Sequence, residues 1–181
     1  MGYAVAGGSH GFRRQSCGGF EQSFGAEFGV AWLVSEAPRQ WVDRTGRHVR
    51  VLIVDDDAGI RETLSLMLRE EGYDVCEATN GIDALFQMQA TTEPMVVLLD
   101  MWMPHMNGEE TLEAALDESA LWARLSFIVI TANPQRMSAR AHTILDRYDI
   151  PLLLKPFDID PLADVVARRA AQLTRYAMRR A

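Results

Sequence analysis

Three consecutive carboxylates, Asp55, Asp56 and Asp57, follow directly on the apolar run Val51-Leu52-Ile53-Val54, and a second apolar run, Met95 to Leu99, ends on Asp100. Two further apolar stretches finish on Thr131 and on Lys155. If these runs lie side by side, three or four carboxylates, a hydroxyl and an ammonium converge on one pocket. Bare carboxylates gathered this way repel, and a pair about 4 Å apart costs roughly 4 kcal/mol at an effective dielectric near 20. A divalent cation and a lysine relieve that repulsion. Mg²⁺ suits the set, because it takes hard oxygen ligands and keeps waters that a phosphate can replace. The same set suits phosphoryl transfer: one carboxylate attacks phosphorus in line while cation, ammonium and hydroxyl bind the equatorial oxygens. Any one of these acids alone reads as a helix cap or turn residue. Their recurrence at the ends of successive apolar runs is what points to chemistry.

Lys155 is the single lysine in a chain that also has 17 arginines. A bias toward Arg codons accounts for the arginines but not for the exception. A position kept as Lys needs a compact ammonium on a flexible stem, which the planar guanidinium does not imitate. The four histidines, His10, His48, His105 and His142, lack metal-ligand spacing and read as surface or packing residues. His105 falls in the loop after Asp100 and is expected at the pocket rim without a catalytic role. Met67, Met88 and Met137 sit at core spacing.

The elements that must position these residues alternate regularly. Val51–Val54 is an apolar run of the kind that forms a strand buried on both faces. Ile60, Leu64, Met67 and Leu68 then recur at helical spacing, closed by Gly72. Tyr73 to Ala78 predicts a second strand, with Ile82, Leu85 and Phe86 as the inner face of a second helix. Met95 to Leu99 is a third strand, followed by a helix from Glu109 to about Leu116. Phe127 to Ile130 is a fourth strand, after which Asn133 caps a helix with Pro134 at its first position. Leu152 to Leu154 is a short fifth strand. Leu162, Val165, Val166 and Leu173 form the inner stripe of a last helix. Five alternations of apolar strand and helix make an α/β fold with a parallel sheet covered on both faces. In such open sheets ligands bind at the carboxyl ends of the strands, where strand order reverses.

Composition narrows the class. The 181 residues are 48% hydrophobic and 24% charged, the balance of a globular chain, with a formal net charge of −7. That sign argues against direct nucleic-acid binding. No apolar run approaches the roughly 20 residues of a membrane span. Two cysteines, Cys17 and Cys76, and the lack of a secretory leader pattern fit a reducing, cytoplasmic setting. Nine of the 13 glycines lie in residues 1–48, which read as a disordered extension. Phe20, Phe24, Phe28 and Trp32 would line one side of a short helix there, although Gly25 and Gly29 would each cost it about 1 kcal/mol. Arg168, Arg169, Arg175, Arg179 and Arg180 make a basic end to the last helix, with 175–181 as its final stretch, complementary to a helix C-terminus.

The segment 49–174 resembles the receiver domain of two-component response regulators. The matching strings are V-L-I-V-D-D-D at 51–57, V-V-L-L-D-M-W-M-P-H-M-N-G at 96–108, I-V-I-T-A at 128–132 and L-L-L-K-P-F at 152–157. The resemblance implies a five-stranded, doubly wound parallel sheet in the flavodoxin-like order 2-1-3-4-5. It implies that Asp100 accepts the phosphoryl group. Asp56 would be a direct Mg²⁺ ligand, Asp55 would act mainly through water, and the Trp102 backbone carbonyl would complete the protein ligands. Thr131 and Lys155 would contact phosphoryl oxygens, Asp57 would be acidic without being a ligand, and the bond to Pro156 would be cis.

One departure stands at Leu152, the switch position, where the family often has Tyr or Phe; the nearest aromatic is Tyr148. The Gly-Ala usual before that strand is replaced by Tyr148-Asp149-Ile150. The expected function is a phosphorylation-dependent signalling switch that assists its own phosphotransfer and dephosphorylation but is not otherwise an enzyme. A histidine kinase or histidine phosphotransfer protein would donate. With nothing after Leu173 long enough for an output domain, a stand-alone receiver would act through a downstream protein target. A homodimer is compatible with this reading. The fourth helix, fifth strand and fifth helix would be the moving surface. Two rivals remain. One is a receiver-like module that binds partners without phosphorylation, suggested by Leu152. The other is a haloacid-dehalogenase-like phosphatase, suggested by the D-x-D of 55–57, which would require a further acidic pair on a strand after the lysine.

Overall fold

The computed structural model describes residues 49–180, apart from the side chains of Ile159 and of 175–180. The expectations for 1–48 and for the arginine side chains at 175, 179 and 180 therefore lie outside the described residues. Five strands form one parallel sheet: β1 (Arg50–Val54), β2 (Asp74–Ala78), β3 (Met95–Asp100), β4 (Leu125–Thr131) and β5 (Leu152–Leu154). Their spatial order is β2-β1-β3-β4-β5, as expected. The connecting helices are α1 (Ala58–Glu70), α2 (Gly81–Gln89), α3 (Gly108–Asp117), the single turn α4 (Ser119–Trp122), α5 (Ala139–Arg147) and α6 (Ile159–Arg180).

Successive strand residues point to opposite faces, so a sheet covered twice needs apolar residues at every position. Every residue of β3 is buried. Leu52, Val54, Val97, Leu99 and Val129 join one core cluster with Met88 of α2, Leu112 of α3 and Leu145 of α5. Val51, Ile53, Val96, Leu98 and Ile128 join the other with Leu64 and Leu68 of α1 and Leu162 and Val166 of α6. The first crossover leads from β1 out to β2 and the next returns past β1 to β3. The order thus reverses between β1 and β3, whose carboxyl ends carry Asp55 and Asp100.

Three local expectations need correction. The inward face of α2 is Gly81, Ala84 and Met88 with Leu85 partly buried, while Ile82 is 60% and Phe86 71% exposed. The rotation of α2 is set by its start. Asn80 accepts from the Ile82 and Asp83 amides, and a Cβ at Gly81 would come within 2.0 Å of Thr111 Oγ1. Only the hydrogen of glycine lets α2 enter there, which turns Ile82 outward. Asn133 does not cap a helix. Pro134–Arg136 is a 3₁₀ turn, Met137 is extended and buried, and α5 begins only after Ser138, which accepts from the Ala141 amide. Burying Met137 needs a break in the helix, and Ser138 supplies the new cap. Finally, α4 was not anticipated as a separate turn.

Candidate functional site

The carboxyl ends of β1, β3, β4 and β5 lie together. The carboxylates of Asp55, Asp56 and Asp100 each offer an oxygen within 4.8 Å of the others. Asp55 and Asp100 are buried and Asp56 is exposed at the mouth. Lys155 Nζ donates to Asp55 Oδ2 at 2.6 Å and lies 3.3 Å from Asp100 Oδ1. The ammonium therefore bridges carboxylates that belong to adjacent strands but are 45 positions apart in sequence.

Each member is held from behind. The Asp55 amide donates to the Ala78 carbonyl, and Asp55 Oδ1 accepts from the Asp57 amide. Asp57 caps α1, its Oδ1 accepting from the Gly59 and Ile60 amides. Arg61 donates to the Asp55 carbonyl and steadies the same turn. After β3, the Met101 amide bonds the Ile130 carbonyl and the Gly108 amide bonds the Met101 carbonyl. A Cβ at Gly108 would sit 2.4 Å from the Asp100 carbonyl oxygen, so this close return of the loop requires glycine. Thr131 is fully buried at the end of β4, and its Oγ1 accepts from the Asn133 amide. The Lys155 amide donates to the Thr131 carbonyl, and the Lys155–Pro156 bond is cis.

The electrostatics follow from burial. Desolvation pushes the Asp100 carboxyl up to about 6, with the charge of Asp55 adding to the rise and Lys155 opposing it. Burial alone would lower Lys155. Its hydrogen bond to Asp55 and the charges of Asp100 and Asp55 outweigh that, and the ammonium is held above its ordinary range. One ammonium does not offset the buried negative charge, so Asp100 carries the remaining penalty. A set of hard oxygen donors short of positive charge fits a small divalent cation.

The geometry also shows side-chain contacts that the sequence reading did not anticipate. The Arg136 guanidinium lies over the Trp102 ring, 4.8 Å from its centroid. Trp102 Nε1 and Asn133 Oδ1 are buried without a hydrogen-bond partner. Nothing in the spacing announces these contacts, because they join the loop after β3 to the 3₁₀ turn after β4. His105 sits at a positive φ of 68° in an exposed loop. Leu152 is half-buried against the core, and the Tyr148 ring is engaged edge-on with Trp122 at 4.9 Å. After Lys155, among the described residues, only α6 follows, so the second acidic strand that a dehalogenase-like phosphatase requires is not found.

Residues 51–167 match the family model described as response regulator receiver domain. Sporulation initiation phosphotransferase F of Bacillus subtilis is 35% identical over 121 residues, 66% of this chain and 91% of that protein. Response regulator MprA of Mycobacterium bovis is 36% identical over 127 residues, 70% of this chain but 51% of that protein. The chain thus spans most of the first relative and about half of the second. Among solved structures, response regulator protein TrrA from Thermotoga maritima, in complex with Mg²⁺-BeF, superposes with a TM-score of 0.57 at 30% identity. That alignment covers 66% of this chain and 97% of the other.

Proposed function

The chain belongs to the response regulator receiver domain family, and from that premise we propose that Asp100 is its phospho-acceptor and Lys155 the cation that steadies the transferred group. Receiver domains are regulatory domains of two-component systems rather than classical enzymes, and they work with histidine kinases or phosphotransfer proteins. The observation that carries the assignment is the Lys155 bridge. A single ammonium reaches two buried carboxylates beside the exposed Asp56, which leaves one open side for a donor.

Asp56, Asp100 and the Trp102 backbone carbonyl would hold Mg²⁺, with Asp55 supporting it at longer range. The chemistry a bound Mg²⁺ supplies is neutralisation of charge on the carboxylates and on the incoming phosphoryl oxygens. An Asp100 carboxylate oxygen attacks phosphorus as the N–P bond of a donor phosphohistidine breaks. The imidazole leaves with the bonding pair and takes its proton from solvent. Lys155 and the Thr131 hydroxyl bind phosphoryl oxygens as charge shifts onto them. The same pocket, opened to water, would assist loss of the phosphoryl group by hydrolysis. Asp57 keeps its role as a helix cap throughout.

Phosphorylation would act by drawing Thr131 toward the acyl phosphate and shifting the surface of α5, β5 and α6. A nearly complete shift demands about 5.5 kcal/mol of differential stabilisation between the two states. No helix of the described residues is long and apolar enough to cross a membrane, and action in the cytoplasm on a downstream protein is part of this reading. A second reading rests on Leu152. With no aromatic ring there and Tyr148 committed to Trp122, the relay from Thr131 has no ring to move, and the domain would bind its partner unphosphorylated. Intact mass after incubation with a small phosphodonor and Mg²⁺ separates the two. Gain of one phosphoryl group by the wild type but not by Asp100→Asn supports the switch. No gain in either, with the fold and Mg²⁺ binding intact, favours the second reading.

A further inference from the structure

Helix α2 is apolar on two sides. Ala84, Leu85 and Met88 face the core, while Ile82 and Phe86, one turn apart, stand 60% and 71% exposed. Charge around this pair is mostly acidic: Asp83 lies on α2 and Asp117 and Glu118 at the end of α3, while Arg124 donates to the Met88 carbonyl at the C-terminal end of α2. Several of these acids are fixed beside α2. Asp83 accepts from the Thr79 amide, and Gln89 Nε2 donates to Glu118 Oε1 at 2.6 Å. Asp117 and Glu118 are exposed at the end of α3.

We propose that the outward face of α2, centred on Ile82 and Phe86, is a docking surface for a basic amphipathic helix of another protein. Two apolar side chains at i and i+4 form a ridge over which a second helix can pack. Their acidic rim selects the occupant. A partner with Arg or Lys beside its apolar stripe gains on both sides, whereas a second copy of this chain meeting the same face would bring Asp83 and Glu118 against their own kind. The surface does not include Asp55, Asp56 or Asp100.

The test titrates the isotope-labelled full chain with a synthetic amphipathic helix whose Leu stripe is flanked by Arg, and with a twin carrying Glu in place of Arg. Amide shifts clustered on α2 and the end of α3, with the Arg peptide preferred, support the proposal. Phe86→Ala and Asp83→Lys should each weaken that binding about tenfold, and Phe86→Ala should still gain phosphoryl mass at Asp100 as the wild type does. Shifts that fall on α5, β5 and α6, or equal binding of the Glu twin, overturn it. So does concentration-dependent self-association that Phe86→Ala abolishes, which would assign the face to a second copy.

Discussion

Replacing Asp100 by Asn should stabilise the Mg²⁺-free protein at neutral pH, although it removes the proposed acceptor. Burial raises the Asp100 carboxyl from 3.8 to about 6. A carboxyl whose native value lies above its unfolded value binds its proton more tightly when folded. Its favourable contribution is complete below about pH 4 and is lost as pH rises through about 6. At pH 7.5 the native chain therefore holds an anion it disfavours by about two pK units, or about 3 kcal/mol at 1.36 kcal/mol per unit. Asn keeps the shape and removes the charge, and Lys155 retains Asp55 as its partner at 2.6 Å. Urea denaturation in chelator should place Asp100→Asn about 1–3 kcal/mol above wild type at pH 7.5. The gap should shrink toward zero at pH 4. Saturating Mg²⁺ should narrow or reverse it, because only the wild type offers the third carboxylate. A mutant that is less stable than wild type in chelator at pH 7.5, or an advantage that does not change with pH, would refute the account of strain in this pocket.

Other outcomes follow from the same geometry. Lys155→Met should destabilise the metal-free fold by about 2–4 kcal/mol, since it strips the counter-ion from two buried carboxylates; denaturant midpoints with and without Mg²⁺ measure it, the loss being smaller with the cation. Mg²⁺ affinity, followed by thermal shift, should strengthen as pH rises through about 6, because Asp100 must give up its proton before it can act as a ligand. Gly108→Ala drives a Cβ toward the Asp100 carbonyl and should cost about 1–3 kcal/mol of stability together with phosphoryl uptake. Asp57→Ala removes the α1 cap and should cost about 1 kcal/mol while leaving phosphoryl uptake by intact mass in place, which separates a cap from a ligand.

Much of the architecture was legible in the sequence because it rests on local rules. Continuous apolar runs such as Val51–Val54 and Met95–Leu99 serve strands buried on both faces, and helical spacing between them demands crossover helices. The strand-end acids, Thr131 and the single lysine could be picked out by type and position alone. Their role as one site depends on the strand order, which places β1 next to β3 and so brings Asp55 to Asp100, with Lys155 reaching both.

What the sequence left open depended on contacts between distant segments. The outward turn of Ile82 and Phe86 is decided by Gly81 meeting Thr111 of α3, a fit that no periodicity within α2 contains. The late start of α5 is decided by Met137 seeking the core, against the local signal of Asn133 and Pro134 for an earlier helix. The raised carboxyl of Asp100 arises from its burial at the end of β3. Residue type and spacing determined which groups could do chemistry. Only the packed sheet and its loops decided how far apart they stand and how strongly each is charged, because both depend on which segments exclude water from which others.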